Sequence, residues 1–390
     1  MAASTDLPVG SADLLTGNLT VSADDVNVSA AGSDLTLSRT FSSLDPTRTA
    51  DPASGTASVF GPGWTTALPV DSASSPWAGL AHRGNVVTVS DTDGIITTFA
   101  KNASGAWKPT GEDADSGLTL TPGTSGTFGP ATWTVGDLDG NSTRFAPATA
   151  LTHTASATNP NPYRVDVVTQ PGSAQTTTYS YDTSGRPAQI LAPVPAGSTC
   201  SGAAPLTGTW TGGCKALYLT YGTSGNGNGR LVAVTLRTTN ASGAELDVDV
   251  ACYSYDASGR LASTWDPRDG VDAGGNHPIA CSSTQYRPTV YTYDGAGRIA
   301  TVTPPGLAAH TVGYDSAGRV TSVSRTHSAS FNKRRHRDHT GGLRRSDHGR
   351  RRQPGLPAGP VRLGDRSLGP GRGTGHRDGR VRPGPPGFQQ

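Results

Sequence analysis

The chain has 390 residues, a formal net charge of +2, an apolar content of 34% and only 16% charged residues, against roughly 25% charged in an ordinary soluble domain. No stretch approaches the roughly 18 apolar residues of a membrane-spanning helix, and no sustained 3.6-residue apolar period suggests a helical enzyme. The near-neutral total hides two regimes: residues 331–390 carry 15 Lys and Arg against 4 Asp, leaving 17 basic and 26 acidic residues in 1–330.

Alternating apolar runs separated by Gly, Asn, Asp and Pro clusters read as strands and turns, so the expected class is all-β. Residues 1–75 read as a small N-terminal β domain, with strands suggested at 18–22, 35–41 and 64–70. Residues 76–162 hold two hairpins, Val89–Ile95 and Val135–Asn141, each with Asp-Gly between alternating strands, which predicts a tight two-residue turn. Their acid pairs, Asp91/Asp93 and Asp137/Asp139, lack the further ligands of a calcium loop.

From 163 to 330 one motif recurs: Tyr181-Asp182-x-x-Gly185-Arg186, Tyr255-Asp256-x-x-Gly259-Arg260, Tyr293-Asp294-x-x-Gly297-Arg298 and Tyr314-Asp315-x-x-Gly318-Arg319, with a decayed copy at Tyr221–Gly225. Asp opens a type I turn, two small residues cross it, and Gly takes the positive φ that follows. Tyr and the residue after Arg (Leu261, Ile299 or Val320) then face each other on one side of the hairpin. A hairpin cannot bury that face alone, so the copies must stack. The spacer segments hold Cys200, Cys214, Cys252 and Cys281. Four cysteines allow three connectivities; local pairing, Cys200 with Cys214 and Cys252 with Cys281, is the simplest, and free buried thiols are the alternative.

After Ser330 the pattern stops, and Arg, Gly, Pro and His dominate. A GC-rich gene read in a shifted frame yields this mixture. The tail, 331–390, is therefore expected to be a basic, disordered frameshift product, the rival being a genuine tail for anionic partners.

The four copies resemble the YD-repeat (Rhs) family. Leu15–Thr20, Leu37–Ser43 and Phe60-Gly61-Pro62-Gly63-Trp64 look like its pre-repeat domain, and Trp265-Asp266-Pro267-Arg268 looks like a segment found between its repeats. The resemblance implies a β-sheet shell that encloses a C-terminal toxin in competition between bacteria, secreted or at the cell surface. Its partners would be the remainder of the shell and the toxin cargo. Residues Met1–Asp6 lack a signal-peptide pattern. Four or five repeats are too few to close a shell, and no aspartyl cleavage segment or toxin follows, so an inactive structural fragment is expected. No nucleophile, metal or cofactor constellation stands out, and no enzyme activity is expected. Two alternatives remain: a surface or wall-associated module binding cell-surface glycans through the row Arg186, Arg260, Arg298 and Arg319 and the dispersed Trp residues, and nucleic-acid binding by the basic tail.

Overall fold

A computed structural model describes residues 4–325 except 31–33, 50–57, 67–74, 92–94, 172–175, 201–209, 211, 240–242, 270–279 and 283–286. The basic tail, and every expectation placed on it, lies outside the described residues.

Period-two alternation builds the first sheet. Strands β1 (Ser4–Leu7), β2 (Gly10–Asp13), β3 (Leu19–Val28), β4 (Leu35–Ser42) and β5 (Trp64–Thr66) lie side by side in chain order, all antiparallel. In β4 Leu35, Leu37, Arg39 and Phe41 are buried and the residues between them are not, as a strand with one covered face requires. An arginine thus takes a core position. Across from it β3 carries a bulge: Asp24 faces Ser38 and Val26 faces Leu37, so Asp25 is the extra residue. Bulges re-aim side chains, and here Asp25 meets the Arg39 guanidinium.

Eight further strands close into a ring. They are β6 (Trp77–His82), β7 (Val86–Asp91), β8 (Ile96–Lys101), β9 (Trp107–Pro109), β10 (Thr119–Pro122), β11 (Trp133–Gly136), β12 (Ser142–Ala146) and β13 (Asn161–Thr169). Closure comes from β13, whose first residues, Asn161–Arg164, pair with β6. The last residues of β13, Val167–Thr169, pair on the same edge with β14 (Thr176–Tyr181). At that strand the chain leaves the ring. It continues as an antiparallel meander through β15 (Pro187–Leu191), β16 (Ala216–Tyr221), β17 (Leu231–Thr239), β18 (Glu245–Tyr255), β19 (Leu261–Trp265), β20 (Thr289–Tyr293), β21 (Ile299–Thr303), β22 (His310–Tyr314) and β23 (Val320–Arg325). Besides strands, the described residues form only short 3-10 turns. The class is all-β.

One continuous core runs through all three parts. It holds Leu19, Phe41 and Trp64 from the first sheet, Phe99, Trp133 and Phe145 from the ring, and Leu231, Leu261 and Ile299 from the meander. The cysteines pair locally, Cys200 with Cys214 and Cys252 with Cys281, each with Cα atoms 5.6 Å apart. The second bridge ties the segment after β19 back to β18.

Two turn readings need correction. The Asp137–Asn141 hairpin is not built on a distinct two-residue Asp-Gly turn. Asp137 N–H donates to the Asn141 carbonyl (3.1 Å), Asn141 N–H donates to Asp137 Oδ1 (2.9 Å), and Gly140 sits at φ +88°. That is the turn of the repeats, closed between the first and fifth residues. The Asp91–Ile95 turn closes in the same way, with Ile95 N–H on Asp91 Oδ1 at 2.7 Å; its central residues lie outside the described set. Asp at the first position accepts the fifth residue's N–H, and that bond outcompetes the tighter loop. Tyr221 differs as well. Its hairpin has not decayed but expanded: Gly222 N–H donates to the Arg230 carbonyl and Gly229 N–H to the Gly222 carbonyl. Gly229 and Arg230, not Gly225, therefore hold the Gly and Arg places.

The repeat glycines all lie near φ +70 to +85°, at Gly185, Gly259, Gly297 and Gly318, where an L side chain costs about 1–2 kcal/mol. Around Gly185 the nearest atom to an added Cβ is 3.5 Å away, so strain acts there without a clash. Gly185→Ala is expected to lower unfolding free energy by about 1–2 kcal/mol, measured by denaturant titration.

Candidate functional site: the tyrosine ladder of the repeats

Each copy of the motif folds into the same constellation. Asp182 Oδ1 accepts the N–H of Ser184 and of Arg186, both at 2.9 Å, and Oδ2 accepts Arg186 Nε at 2.7 Å. Asp256 repeats this with Ser258 and Arg260, Asp294 with Ala296 and Arg298, and Asp315 with Ala317 and Arg319. At Asp294 and Asp315 these bonds favour the carboxylate form. Burial pushes Asp294 upward, but the Arg298 side-chain and backbone donors outweigh it and lower its pKa. At Asp315 the Arg319 N–H leads the same downward shift.

The tyrosines do something the spacing did not reveal. Every repeat hairpin carries a bulge beside its Tyr: Ser254 faces Ser263 while Tyr255 faces Leu261, and the same slip recurs at Tyr181, Tyr221, Tyr293 and Tyr314. Backbone pairing between successive hairpins stops short of the turns. Strands β19 and β20 pair only at Ser263–Val290 and Thr264–Thr289, and β21 with β22 only at Thr301–Thr311 and Val302–His310. The carbonyl of the residue after each Arg thus lacks a backbone partner on the next hairpin, and a buried unpaired carbonyl is costly.

The next tyrosine supplies that partner. Tyr221 OH donates to the Pro187 carbonyl (2.7 Å), Tyr255 OH to Leu231 (2.5 Å), Tyr293 OH to Leu261 (2.7 Å) and Tyr314 OH to Ile299 (2.9 Å). Tyr181 OH makes the same bond to Val165, the residue after Arg164 on the ring strand β13. Above four of these rings lies the guanidinium of the preceding hairpin: Arg186 over Tyr221 at 4.1 Å, Arg260 over Tyr293 at 4.8 Å, Arg298 over Tyr314 at 4.4 Å, and more distantly Arg230 over Tyr255 at 5.7 Å. Asp aims Arg, Arg covers the next ring, and that ring's hydroxyl completes the previous hairpin. Each step couples neighbouring hairpins by one net hydrogen bond, about 0.5–1.5 kcal/mol, and one cation–π contact of about 0.5–1 kcal/mol.

The first sheet covers this ladder. Phe60 meets Tyr253 edge-on at 5.0 Å and Trp64 meets Tyr291 at 5.3 Å, while Trp64 Nε1 donates to Tyr293 OH at 2.9 Å. The Phe-Gly-Pro-Gly-Trp element owes its first glycine to close approach: a Cβ on Gly61 would overlap the Gly259 carbonyl of a repeat turn. Beside it lies the buried pair. Arg39 Nε donates to Asp25 Oδ2 at 2.7 Å, with side chains 1% and 7% exposed. Tyr253 OH donates to Asp25, and Arg39 Nη2 donates to Tyr291 OH. Burial opposes the Arg39 charge, but Asp25 and the two phenols more than offset it and raise its pKa. A buried pair adds little net stability; here it joins the first sheet to the repeats through Tyr253 and Tyr291.

The motif residues are therefore brought together as a ladder. The sequence pattern singled out the Asp, Gly and Arg of each turn and held Trp64 and the stretch around Arg39 only as motif residues; it did not reveal Asp25, the Asp25–Arg39 pair or the hydroxyl–carbonyl step. A relaxed search for Asp or Asn with Gly three residues on also finds Asn102–Ala106, which closes with Ala106 N–H on Asn102 Oδ1 at 2.9 Å. Among the described residues one group, Asp249, Cys252 and Cys281, has metal-ligand spacing. Its two sulfurs are bonded to each other, so neither offers a thiolate.

No family model matches the chain, and no curated protein matches it. Distant likeness exists among solved structures. A TcdB2-TccC3 crystal structure shares 14% identity over 75% of this chain and 16% of that one, with a TM-score of 0.43. The N-terminal domain of effector protein SpvB from Salmonella typhimurium shares 12% identity over 77% of this chain and 98% of that one, with a TM-score of 0.28. The chain thus spans about a sixth of the TcdB2-TccC3 chain.

Removing one hydroxyl tests the ladder. Tyr293→Phe leaves the Leu261 carbonyl and Trp64 Nε1 without their partner, and should cost about 1–3 kcal/mol in denaturant unfolding.

Alkali tests all the rungs together. Burial raises the pKa of Tyr181, Tyr221, Tyr253, Tyr255, Tyr293 and Tyr314 above the usual 10.0. Unfolded tyrosine ionises near pH 10, so the unfolded state loses these protons first. Their contribution is complete below about pH 10 and is lost as pH rises toward the folded values. Absorbance at 295 nm should show phenolate appearing cooperatively with loss of circular dichroism, above the titration of free tyrosine.

Proposed function

We propose that this chain is a wall segment of a YD-repeat shell, of the kind that encloses and delivers a toxin between bacteria. It acts as structure and not as a catalyst. The observation that carries this reading is the recurrence of one hydroxyl–carbonyl step from hairpin to hairpin, starting at Val165 on the ring. A step that needs only the next hairpin can be repeated without redesign, which is the logic of a wall. Two disulfides suit an oxidising compartment, in keeping with secretion or display at the cell surface. The partners on this reading are the rest of a shell and its cargo. A glycan-binding row is less favoured, because Arg186, Arg260 and Arg298 are each engaged by their own Asp and lie over a neighbouring Tyr.

The DNA beyond codon 330, read in all three frames, tests the proposal. Further Tyr-Asp-x-x-Gly-Arg copies are expected in another frame. Their absence from both alternative frames would leave a free-standing module and overturn the shell reading.

A further inference from the structure

The ladder has an open rung. At four steps, a carbonyl after Arg receives a tyrosine hydroxyl from the next hairpin, and the guanidinium covers that ring. Arg319 and Val320 form the next step of the same kind: Asp315 holds Arg319 through Nε at 2.8 Å, and Tyr314 pairs with Val320. Among the described residues no tyrosine reaches the Val320 carbonyl and no ring lies under Arg319. The Arg319 side chain is accordingly 60% exposed, against 29%, 25% and 20% for Arg186, Arg260 and Arg298. Residues 315–390 contain no tyrosine, so nothing later in these 390 residues can fill the place.

The surroundings fit a strand. A groove of about 400 Å³ runs beside β23, between it and the β2–β3 turn, lined by Leu7, Ala12, Leu14, Leu15, Val320 and Val323. Leu14 and Leu15 are 63% and 81% exposed there. The turn already takes one group of the rung, since Val320 N–H donates to the Gly17 carbonyl at 3.0 Å. That bond does not block the site. At Leu231 the N–H is likewise held by the first sheet, through the Val59 carbonyl at 2.9 Å, while the Leu231 carbonyl accepts Tyr255 OH. A first-sheet carbonyl on the N–H and a tyrosine on the C=O coexist at that step, so they are compatible at Val320.

From this the geometry points to a binding site at β23 for a tyrosine-bearing extended strand of another polypeptide, with its hydroxyl on the Val320 carbonyl, its ring beneath Arg319 and its apolar side chains against Leu14 and Leu15. Addition of a strand to an exposed edge is a known mode of peptide capture, with specificity from side-chain pockets. The inference goes beyond the shell reading: it concerns this edge alone and holds or fails whatever the other reading frames encode.

The test uses the full chain and a fluorescein-labelled peptide of residues 308–325, whose single tyrosine is Tyr314. Fluorescence anisotropy should show saturable binding. Tyr314→Phe in the peptide should weaken it about five- to tenfold, the worth of one net hydrogen bond. Arg319→Ala in the protein should weaken it about three- to fivefold, with an unchanged melting temperature because that side chain is largely exposed. The phenylalanine peptide is read against wild-type protein, so the test stands even if the protein variant misfolds. No saturable binding, equal affinity for the phenylalanine peptide, or a dimer of the protein that excludes the peptide would each overturn the proposal.

Discussion

A tyrosine hydroxyl on a neighbouring carbonyl is the interaction on which the repeat region depends. A bulge beside each turn splays the hairpins and ends their backbone pairing two or more residues early. Without another donor, a row of carbonyls would lie buried and unpaired along the sheet. A phenol is long enough to span that gap while burying an aromatic ring, which no Ser or Thr hydroxyl does. The Asp-Gly-Arg part of the motif serves the same end from the other side, because Asp fixes Arg and Arg lies over the incoming ring. The motif therefore describes a joint between two hairpins and not a single hairpin.

That joint needs a second layer. Of the rung tyrosines Tyr255 is buried and Tyr181, Tyr221, Tyr293 and Tyr314 are half-buried, while Leu261 and Ile299 opposite them are buried; the first sheet and the segment leading into β5 lie on Tyr253, Tyr291 and Tyr293. The cover is held by directional contacts as well as by apolar burial. Trp64 Nε1 reaches one rung, the Val59 carbonyl takes the Leu231 N–H of another, and the Asp25–Arg39 pair reaches Tyr253 and Tyr291. A bulge in β3 and an arginine in a strand of alternating apolar residues look like local faults. Together they make a complementary pair whose phenol partners come from residues over 200 positions later.

Much of the local structure was legible in the sequence. Alternation announced the strands, Asp and Gly at fixed spacing announced the turns, and proximity in the chain announced both disulfides. These features depend on interactions within about thirty residues. The misreadings were also local. Asp-Gly at 139–140 suggested a two-residue turn because that dipeptide is a strong hairpin signal, yet Asp137 two residues earlier closes a longer one. The Tyr221 hairpin looked degenerate because an insertion moved its Gly and Arg to 229 and 230.

What the sequence by itself determined was the repeating unit: which residues turn, which face inward, and that no hairpin is sufficient alone. Tertiary structure decided what the units are for one another. It alone placed β13 between the ring and the meander, laid the Phe60–Trp64 element over the tyrosines, and set each hydroxyl on the carbonyl of the hairpin before it. The physical reason is that a turn is specified by side chains bonding to their own backbone, whereas a carbonyl left open by a bulge is visible only once the neighbouring strand is in place.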